Sequence, residues 1–298
     1  MSRPEISIVL GSYNRLAFLK AVIGSIRDNG ITVAYETIVV DGGSTDGSMQ
    51  WLARQKDIIT IIQHNRGEFR GKPIGRRSWG YFMNLAFKCT HGKYVLMISD
   101  DSLLVPGAAM SGLRHVETLR SLGRDVGAGA FYWRNWPDER EYKVGLTLGG
   151  KMFVNHGIYL RRALEDVGWI DEERYRFYHA DGDLCLKLWE RGYEVVDCPD
   201  AFVEHFTHAN LSARRSNAER QRADWAAYLS KWTGVFYDPE KQDTGDKISR
   251  RHEDPHETVR RFPRKAVTAF RVRRRLGSLK SALDKVMPEF LRVWRSGR

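Results

Sequence analysis

Two adjacent carboxylates, Asp100 and Asp101, follow the apolar run Tyr94–Ile98. A short apolar run of this kind predicts a buried strand. Two carboxylates at the end of such a strand repel each other unless a positive group lies beside them. A divalent cation would supply that charge, and hard cations such as Mg²⁺ prefer oxygen ligands. The sequence therefore predicts a metal-binding element at this pair.

The strand before this pair belongs to a series of alternating strands and helices. Ile6–Leu10 and Thr37–Val40 predict two further strands, and apolar residues at helical spacing between them predict a helix. This order indicates a parallel sheet with right-handed crossovers. In open parallel sheets ligands bind beyond the carboxyl ends of the strands. The loops at those ends are therefore the candidate site, and they read GSYNR (11–15), DGGSTDGS (41–48), NRGEF (65–69) and SDDS (99–102).

The excess of positive charge is confined to the end of the sequence. The formal net charge is +11, and residues 260–298 hold 13 Lys and Arg against 2 Asp and Glu. The remainder is balanced, which argues against a broad nucleic-acid-binding face. No apolar run approaches the roughly 20 residues of a membrane-spanning helix, and no signal-peptide pattern is present at the start. We therefore expect a cytoplasmic location.

Four stretches, in order, resemble the family 2 glycosyltransferases, inverting enzymes of the GT-A fold that move a sugar from a nucleoside diphosphate to an acceptor. They are ISIVLGSYNR, IVVDGGSTDGS, MNLAFKCTHGKYVLMISDDS and VGWIDEERYRFYHADGDLCLKLWERGYEVVDCPDAFVEHF. The resemblance covers roughly residues 5–232 and implies an α/β fold with a GT-A type, Rossmann-like, mostly parallel sheet flanked by helices. It also implies hexosyl transfer from a nucleotide-sugar donor, UDP by default, to a glycan or lipid-linked acceptor, as in polysaccharide biosynthesis.

The resemblance also implies roles for individual residues. Asp181 is implied as the general base that takes the proton of the acceptor hydroxyl, although Ala180 stands where the family usually has a glutamate. Asp101 and His205 are implied as ligands of Mn²⁺ or Mg²⁺, and Ser99 occupies the first position of the DxD motif. The implied nucleotide contacts are Ser12, Tyr13, Arg15, Asp41 and Asp100. Further contacts to acceptor or sugar are expected from Asn84, Trp169 and Asp183.

Several of these residues also have ordinary structural explanations. Asp41 precedes a Gly-Gly pair, as a turn aspartate that binds its own backbone does. Because Asp46 already offers turn chemistry, we favour the nucleotide contact. Asp181 and Asp183 both precede an apolar helix, and we expect Asp183 to be the N-cap. A histidine after a strand, such as His205, is often a packed residue instead of a ligand.

The loop between Asn65 and Asn84 is longer and more basic than is usual in the family. It is either a solvated charged loop or a surface for phosphate, an acidic sugar or an acidic acceptor. Trp133, Trp136 and Trp169 are core residues or platforms for an acceptor sugar. The basic residues of the loop are Arg66, Arg70, Lys72, Arg76 and Arg77.

We expect three segments along the chain. Residues 1–235 form the transferase domain, with a nucleotide-binding half at about 1–103 and an acceptor and catalytic half at about 104–235. The charged, Pro-containing residues 236–259 read as a linker. Residues 260–298 read as a basic amphipathic helical tail, suited to peripheral attachment to an anionic membrane surface on the inner face.

Other functional classes remain open on the sequence alone. A sugar-phosphate nucleotidyltransferase shares an α/β nucleotide fold and acidic metal ligands. Such enzymes carry a Gly-rich phosphate loop with a basic residue just after the first strand, whereas GSYNR holds one glycine. A non-catalytic nucleotide-binding protein is consistent with Ala180 and Ser99, and a nucleic-acid-binding protein is consistent with the basic tail.

Overall fold

The computed structural model describes residues 3–206, 211–241 and 244–286. The chain divides into two compact units, Met1–Arg261 and Phe262–Arg298. The strands are β1 (Ile6–Ser12), β2 (Tyr35–Asp41), β3 (Ile58–Ile62), β4 (Glu68–Phe69), β5 (Lys72–Pro73), β6 (Tyr94–Met97), β7 (Ser102–Leu104), β8 (Val126–Asn135), β9 (Tyr142–Leu146), β10 (Met152–Phe153), β11 (Gly157–Leu160), β12 (Glu194–His205) and β13 (Lys247–Arg250). The α-helices are α1 (Leu16–Arg27), α2 (Ser48–Leu52), α3 (Trp79–Lys88), α4 (Ala108–Ser121), α5 (Arg161–Asp166), α6 (Ala180–Glu190), α7 (Leu211–Trp232) and α8 (Arg264–Val286).

A parallel half and a mixed half make up the main sheet of the first unit. The path through the sheet is β10-β9-β8-β11-β6-β1-β2-β3. Its last four strands, β6, β1, β2 and β3, are parallel to one another. Antiparallel β11 joins β6 to β8, and β12 pairs parallel with β8 and antiparallel with β7. The predicted α/β fold with a parallel core is confirmed.

Apolar burial on both faces explains the central strands. In β1 every residue except Gly11 is buried, and all four residues of β6 are buried. Helix α1 covers the sheet with Phe18, Leu19, Val22, Ile23 and Ile26, the positions that recur at helical spacing in the sequence. Full burial of each such side chain contributes about 1.5–3 kcal/mol to folding.

The register of the parallel strands brings three loops to one edge of the sheet. Val9 of β1 lies opposite Met97 of β6, and Ser12 at the end of β1 lies opposite Asp41 at the end of β2. Because parallel strands end on the same side, the loops that follow β1, β2 and β6 meet there. These loops carry most of the residues that the sequence nominates for chemistry.

Part of the segment 236–259, predicted as a linker, is a strand of the sheet. Strand β13, Lys247–Arg250, pairs antiparallel with Tyr142 to Gly145 of β9, and the first unit continues to Arg261. All four residues of β13 are exposed. The strand is formed through backbone hydrogen bonds, which do not require the apolar pattern used to recognise buried strands.

The second unit, Phe262–Arg298, contains α8. This helix occupies residues 264–286 of the predicted basic tail. The remainder of that prediction, residues 287–298, lies outside the described residues. Among the helices of the described ranges, none combines the length and the apolar character that crossing a membrane requires.

Candidate active site

Arg15 lies between the two adjacent carboxylates that follow β6. Its Nη1 atom is 2.5 Å from Asp100 Oδ1 and 2.8 Å from Asp101 Oδ2, and all three side chains are largely buried. The parallel pairing of β1 with β6 delivers the Arg15 loop to the end of β6. The positive group that the sequence required beside the carboxylates is thus supplied by a guanidinium of the chain itself.

The two carboxylates differ in acidity. Burial raises the pKa of Asp100 to about 6, because the opposing effect of Arg15 is incomplete and the charge of Asp101 adds to the rise. Burial acts on Asp101 in the same direction, but its interactions with His205 and Arg15 outweigh burial and hold the Asp101 pKa well below its usual range. When two carboxylates lie side by side, their pKa values commonly move apart in this way. Asp101 is therefore the one that stays ionised and available to a cation.

Asp101 has two further partners. Its Oδ1 atom accepts a hydrogen bond from the Ser99 hydroxyl at 2.7 Å and lies 3.3 Å from His205 Nε2. Strand β7 pairs with strand β12, and in this pairing Ser102 lies opposite His205. The histidine therefore lies at the end of the loop that holds the two carboxylates. The serine at the first motif position thus holds Asp101 in place.

The donor atoms of Asp101 and His205 suit a divalent cation that brings additional ligands. His205 Nδ1 lies 2.9 Å from Asn135 Oδ1. A proton assigned to Nδ1 leaves the Nε2 lone pair for a cation. Within residues 3–206, 211–241 and 244–286, no group of three or more His, Cys, Asp or Glu side chains is arranged to hold a metal ion. The pair therefore fits a cation whose coordination is completed by phosphate oxygens and water.

The carboxylate of Asp41 binds its own turn. It is fully buried and accepts hydrogen bonds from the N–H groups of Gly43 and Ser44, at 2.9 and 2.7 Å, and from the Ser44 hydroxyl at 2.7 Å. Asp46 serves a similar purpose in the same loop, because it accepts the N–H of Ser48 at 3.1 Å. The reason for setting the turn explanation aside was therefore wrong. A contact from Asp41 to a nucleotide base stays a prediction.

Tyr13 presents an aromatic face next to the carboxylate loop. The guanidinium carbon of Arg66 lies 5.2 Å from the centroid of its half-buried ring. Gly42 packs closely against the ring, since an added Cβ there would lie 3.1 Å from Tyr13 Cδ2. Ser12, beside it, is buried at the end of β1. A face that attracts a cation in this way also suits the stacking of a nucleotide base.

Arg66 acts electrostatically on Arg76 of the same loop. Arg76 is half-buried, and burial together with the charges of Arg66 and of the distant Arg220 lowers its pKa. Arg66, Arg70 and Lys72 are exposed. Binding of an anion by the basic loop stays a prediction.

Asp181 lies in the first turn of α6, which begins at Ala180. His179 precedes it in the left-handed conformation, with φ 65°. The Asp181 carboxylate accepts the N–H of Gly182 at 2.9 Å and a hydrogen bond from the Asn155 side chain. Burial raises the pKa of Asp181 despite these opposing contacts. A half-buried carboxylate that is held in one orientation and keeps some accessible surface suits a general base.

Asp183 is not a helix cap, contrary to the prediction. Its fully buried carboxylate accepts hydrogen bonds from Tyr175 Oη and Trp232 Nε1, both at 3.0 Å, and lies 2.7 Å from Lys231 Nζ. The N-cap position is taken by His179, whose side chain makes no capping bond. Asp183 docks α7 against α6, and these contacts do not support a role in binding the acceptor.

Asn84 and Trp169 hold the loop that leads to α6. The Asn84 amide donates to the carbonyl of Ile170 at 2.9 Å and accepts the Ile170 N–H at 3.1 Å. The Trp169 ring lies 6.5 Å from the ring of Phe87, and the Arg161 guanidinium lies 6.0 Å from it. Both side chains serve the scaffold, so the expected sugar contacts are not supported.

An aromatic group beside Asp181 was missed in the sequence. The His179 ring stacks on Tyr228, with 5.2 Å between centroids and 18° between planes, and lies 4.8 Å from the Trp225 ring. Both His179 and Trp225 are half-buried, so they keep accessible surface. Trp225, Tyr228 and Trp232 fall three and four residues apart on α7. That spacing indicates one aromatic helix face and would have revealed the group.

Asp224 fixes the segment that precedes the proposed base. Its buried carboxylate accepts the N–H groups of Arg176, Phe177 and Tyr178 at 3.0, 2.9 and 2.9 Å. No sequence pattern marks this contact, because more than 40 residues separate the partners. A single carboxylate of α7 thus sets the backbone path toward Asp181.

Comparison with known proteins places these residues in a family context. The model of "Glycosyl transferase family 2" matches residues 7–165. The chain is 23% identical over 250 residues to the uncharacterized protein y4gI of Sinorhizobium fredii, a match that covers 74% of this chain and 26% of that protein. The chain therefore spans about a quarter of the length of that curated relative.

Several solved structures share the fold. S. aureus TarS is 14% identical with a TM-score of 0.55, over 78% of this chain and 44% of its own. The mannosyltransferase PcManGT of Pyrobaculum calidifontis, in complex with GDP-Man and Mn²⁺, is 15% identical with a TM-score of 0.54, over 99% and 84%. TarS residues 1–349 in complex with UDP give 14% and 0.51, over 80% and 74%. The predicted GT-A type fold is confirmed, and because the family model matches more than half of its length, this chain belongs to glycosyl transferase family 2.

Proposed function

We propose that the protein is an inverting glycosyltransferase that moves a sugar from a nucleoside diphosphate sugar to a hydroxyl of a glycan or lipid-linked acceptor. One arrangement carries the proposal. The largely buried Asp100, Asp101, Arg15 and His205 cluster lies at the ends of strands in the sheet, and Asp181 supplies a separate, half-buried carboxylate at the start of α6. A transferase needs a cationic site for the leaving diphosphate and a base for the acceptor.

The donor side has to hold a diphosphate next to carboxylates. Arg15 offsets the charge of the carboxylate pair. Asp101 and His205 would hold Mn²⁺ or Mg²⁺. The cation, when bound, would offset the negative charge that develops on the leaving diphosphate. Arg66, whose guanidinium lies 5.2 Å from the centroid of the Tyr13 ring, would add positive charge where the base would stack.

The chemical step belongs to Asp181. Its carboxylate takes the proton of the acceptor hydroxyl while that oxygen forms the new bond to the anomeric carbon. The bond from that carbon to the diphosphate oxygen breaks at the same time, and the diphosphate leaves with the electron pair. A single displacement inverts the anomeric configuration. The raised pKa of Asp181, caused mainly by burial, makes it a stronger base than an exposed aspartate.

The acceptor is a glycan in this proposal because aromatic rings lie beside the base. Half-buried rings such as Trp225 and His179 bind the C–H faces of sugars by apolar contact. The basic residues 260–298 are proposed to attract an anionic membrane, which would bring the enzyme to a lipid-linked acceptor. Each Lys or Arg near such a surface contributes about 1 kcal/mol.

UDP is retained as the first donor nucleotide to test. The argument for UDP was a predicted contact from Asp41 to the nucleotide base. The hydrogen bonds of the Asp41 carboxylate within its own turn weaken that argument. TarS has been solved with UDP and PcManGT with GDP-Man, so both nucleotides belong in the test. The nucleotidyltransferase alternative is not favoured, because the loop after β1 holds a single glycine.

A thermal-shift panel tests the proposal. UDP, GDP, dTDP and CMP are added with and without Mn²⁺ to the intact protein, to Asp101→Ala, and to the surface control Asp57→Ala. At a hundred times its dissociation constant, the right nucleotide stabilises the fold by about 2.7 kcal/mol, a rise of several degrees. We expect one nucleoside diphosphate to do so only with Mn²⁺, and only when Asp101 is present. If no nucleotide moves the midpoint in either condition, the proposal is rejected. Product NMR that shows retained configuration would reject inversion.

A further inference from the structure

Three buried polar atoms beside His205 have no hydrogen-bond partner among the described residues. They are Nδ1 and Nε2 of His156 and Nε1 of Trp133. His156 is only 3% exposed, so bulk water does not satisfy its nitrogens. Unpaired buried polar atoms are rare in native proteins, and they commonly mark a place where a ligand or an ordered water binds.

The three rings form one cluster at the border of the proposed cation site. The His156 centroid lies 5.4 Å from that of His205 and 6.1 Å from that of Trp133, and the Trp133 and His205 centroids are 5.8 Å apart. The interplanar angles run from 60° to 84°, so the rings meet edge to face. Because His205 lies 3.3 Å from Asp101, the cluster adjoins the carboxylate that would bind the cation.

The neighbouring residue connects this cluster to the general base. Asn155 hydrogen-bonds the carboxylate of Asp181, and His156 follows it directly in the chain. In a single displacement the anomeric carbon lies between the attacking hydroxyl, held by the base, and the leaving diphosphate, held at the cation. A sugar in that position lies against residues 155 and 156.

We infer that His156 and Trp133 bind hydroxyl groups of the transferred sugar and so help determine which neutral hexose or N-acetylhexosamine donor is accepted; the inference rests on the proposed transferase function. A neutral imidazole offers one donor and one acceptor, and an indole offers one donor. A sugar hydroxyl both donates and accepts, so the three atoms match it.

Trp133 lies between exposed and buried surroundings. Its indole is half-buried, whereas the neighbouring His156 is covered. The ammonium of Lys143 lies 4.7 Å from the centroid of the Trp133 ring. A site that is built to hydrogen-bond a substrate hydroxyl discriminates strongly against analogues that lack it, because the buried groups are then left unpaired.

The test compares nucleoside diphosphates with their sugar conjugates by calorimetric titration in the presence of Mn²⁺. UDP, UDP-glucose, UDP-N-acetylglucosamine, GDP and GDP-mannose are the probes for the wild type. The tightest nucleotide sugar and its parent nucleotide are then titrated into His156→Phe, His156→Gln and Trp133→Phe. His252→Phe is the matched control, because His252 also has a buried, unpartnered Nε2 among the described residues but lines a separate cavity of about 330 Å³.

We expect His156→Phe and Trp133→Phe to weaken binding of the nucleotide sugar by about tenfold, the value of one or two lost hydrogen bonds. Binding of the nucleoside diphosphate should stay within about twofold of wild type. His156→Gln keeps a donor and an acceptor and should retain more affinity than His156→Phe. The inference is overturned if both ligands lose affinity equally, if neither does, or if the wild type binds the nucleotide sugar no more tightly than the nucleotide. A wild type that binds no nucleoside diphosphate contradicts the proposed function itself.

Discussion

Arg15 and Asp101 form a largely buried ion pair, with 2.8 Å between Nη1 and Oδ2. The same nitrogen lies 2.5 Å from Asp100 Oδ1, so one guanidinium pairs with two carboxylates. The chain itself therefore supplies part of the counter-charge of this cluster.

Replacement of Arg15 by Met is expected to lower the free energy of unfolding by about 3 kcal/mol, because it leaves two buried carboxylates without their partner. Urea titration followed by circular dichroism measures the change. Arg27→Met is the control, since Arg27 and Asp57 form a pair whose side chains are 38% and 56% exposed. That pair should contribute less than about 1 kcal/mol. Equal losses in the two variants would contradict the role given to Arg15.

Asp181→Asn is expected to lower the transfer rate by about 100- to 10,000-fold, because an amide cannot take the proton of the acceptor hydroxyl. Binding of the nucleoside diphosphate should be unchanged. A coupled assay for the released nucleotide gives the rate, and calorimetry gives the affinity. Asp197→Asn, which changes a carboxylate that accepts the Tyr132 hydroxyl, is the control. Wild-type turnover by Asp181→Asn would remove Asp181 from the mechanism.

The same Asp181→Asn change is expected to stabilise the fold at neutral pH. Burial raises the pKa of Asp181, so the folded state binds this proton more tightly than the unfolded state does. The charged carboxylate therefore lowers stability above its folded pKa, and the amide removes that cost. Both states are protonated below the ordinary carboxyl pKa, so the gain should vanish as the pH falls below about 4. Thermal melts between pH 3 and 8 measure it, and a pH-independent difference would contradict the assignment.

Asp224→Ala is expected to free the backbone of residues 176–178 and to disturb the approach to Asp181. Three N–H groups lose their common acceptor, so their amide hydrogens should exchange faster with deuterium. Nucleotide binding should persist, because Asp224 makes no described contact with the carboxylate cluster. Asp238→Ala, which alters an exposed carboxylate paired with Lys241, is the control. Unchanged exchange at 176–178 would rule out this positioning role.

Removal of residues 262–298 is expected to weaken binding to anionic vesicles. The segment 260–298 holds 13 Lys and Arg against 2 Asp and Glu, and surface attraction of this kind falls steeply with salt. Co-sedimentation with vesicles of anionic and of neutral lipid, at low and high salt, measures the effect. Equal binding by the intact and shortened chains would reject the proposed membrane contact.

Local patterns were sufficient to predict the parallel core and the carboxylate pair. Buried strands such as β1 and β6 are continuous apolar runs, and Asp100 and Asp101 follow one of them directly. Arg15 was expected to contact the nucleotide, whereas in the structure it forms ion pairs with Asp100 and Asp101. A sequence shows that a positive charge is required there, but it does not show which of 48 Lys and Arg residues supplies it.

Contacts between distant segments escaped prediction. Asp183 occupies a position typical of a helix cap, but tertiary contacts with Trp232 and Lys231 decide its role. Asn155 and Asp224 act on the Asp181 region from 26 and more than 40 residues away, through side-chain contacts that leave no periodic signal. The group of His179, Trp225 and Tyr228 was missed as well, although the spacing of Trp225 and Tyr228 on α7 was available in the sequence.

Strand β13 also determines where the first unit can be cut. The boundary expected from composition is residue 235. A fragment that ended there would lack β13, so the backbone groups of β9 from Tyr142 to Gly145 would lose their hydrogen-bond partners. An open edge of that kind is a template for pairing with another copy of the chain. The exposed Lys247 and Arg250 of β13 place charges on the edge that replaces it. The charged, weakly apolar stretch that looks dispensable therefore guards the sheet against self-association.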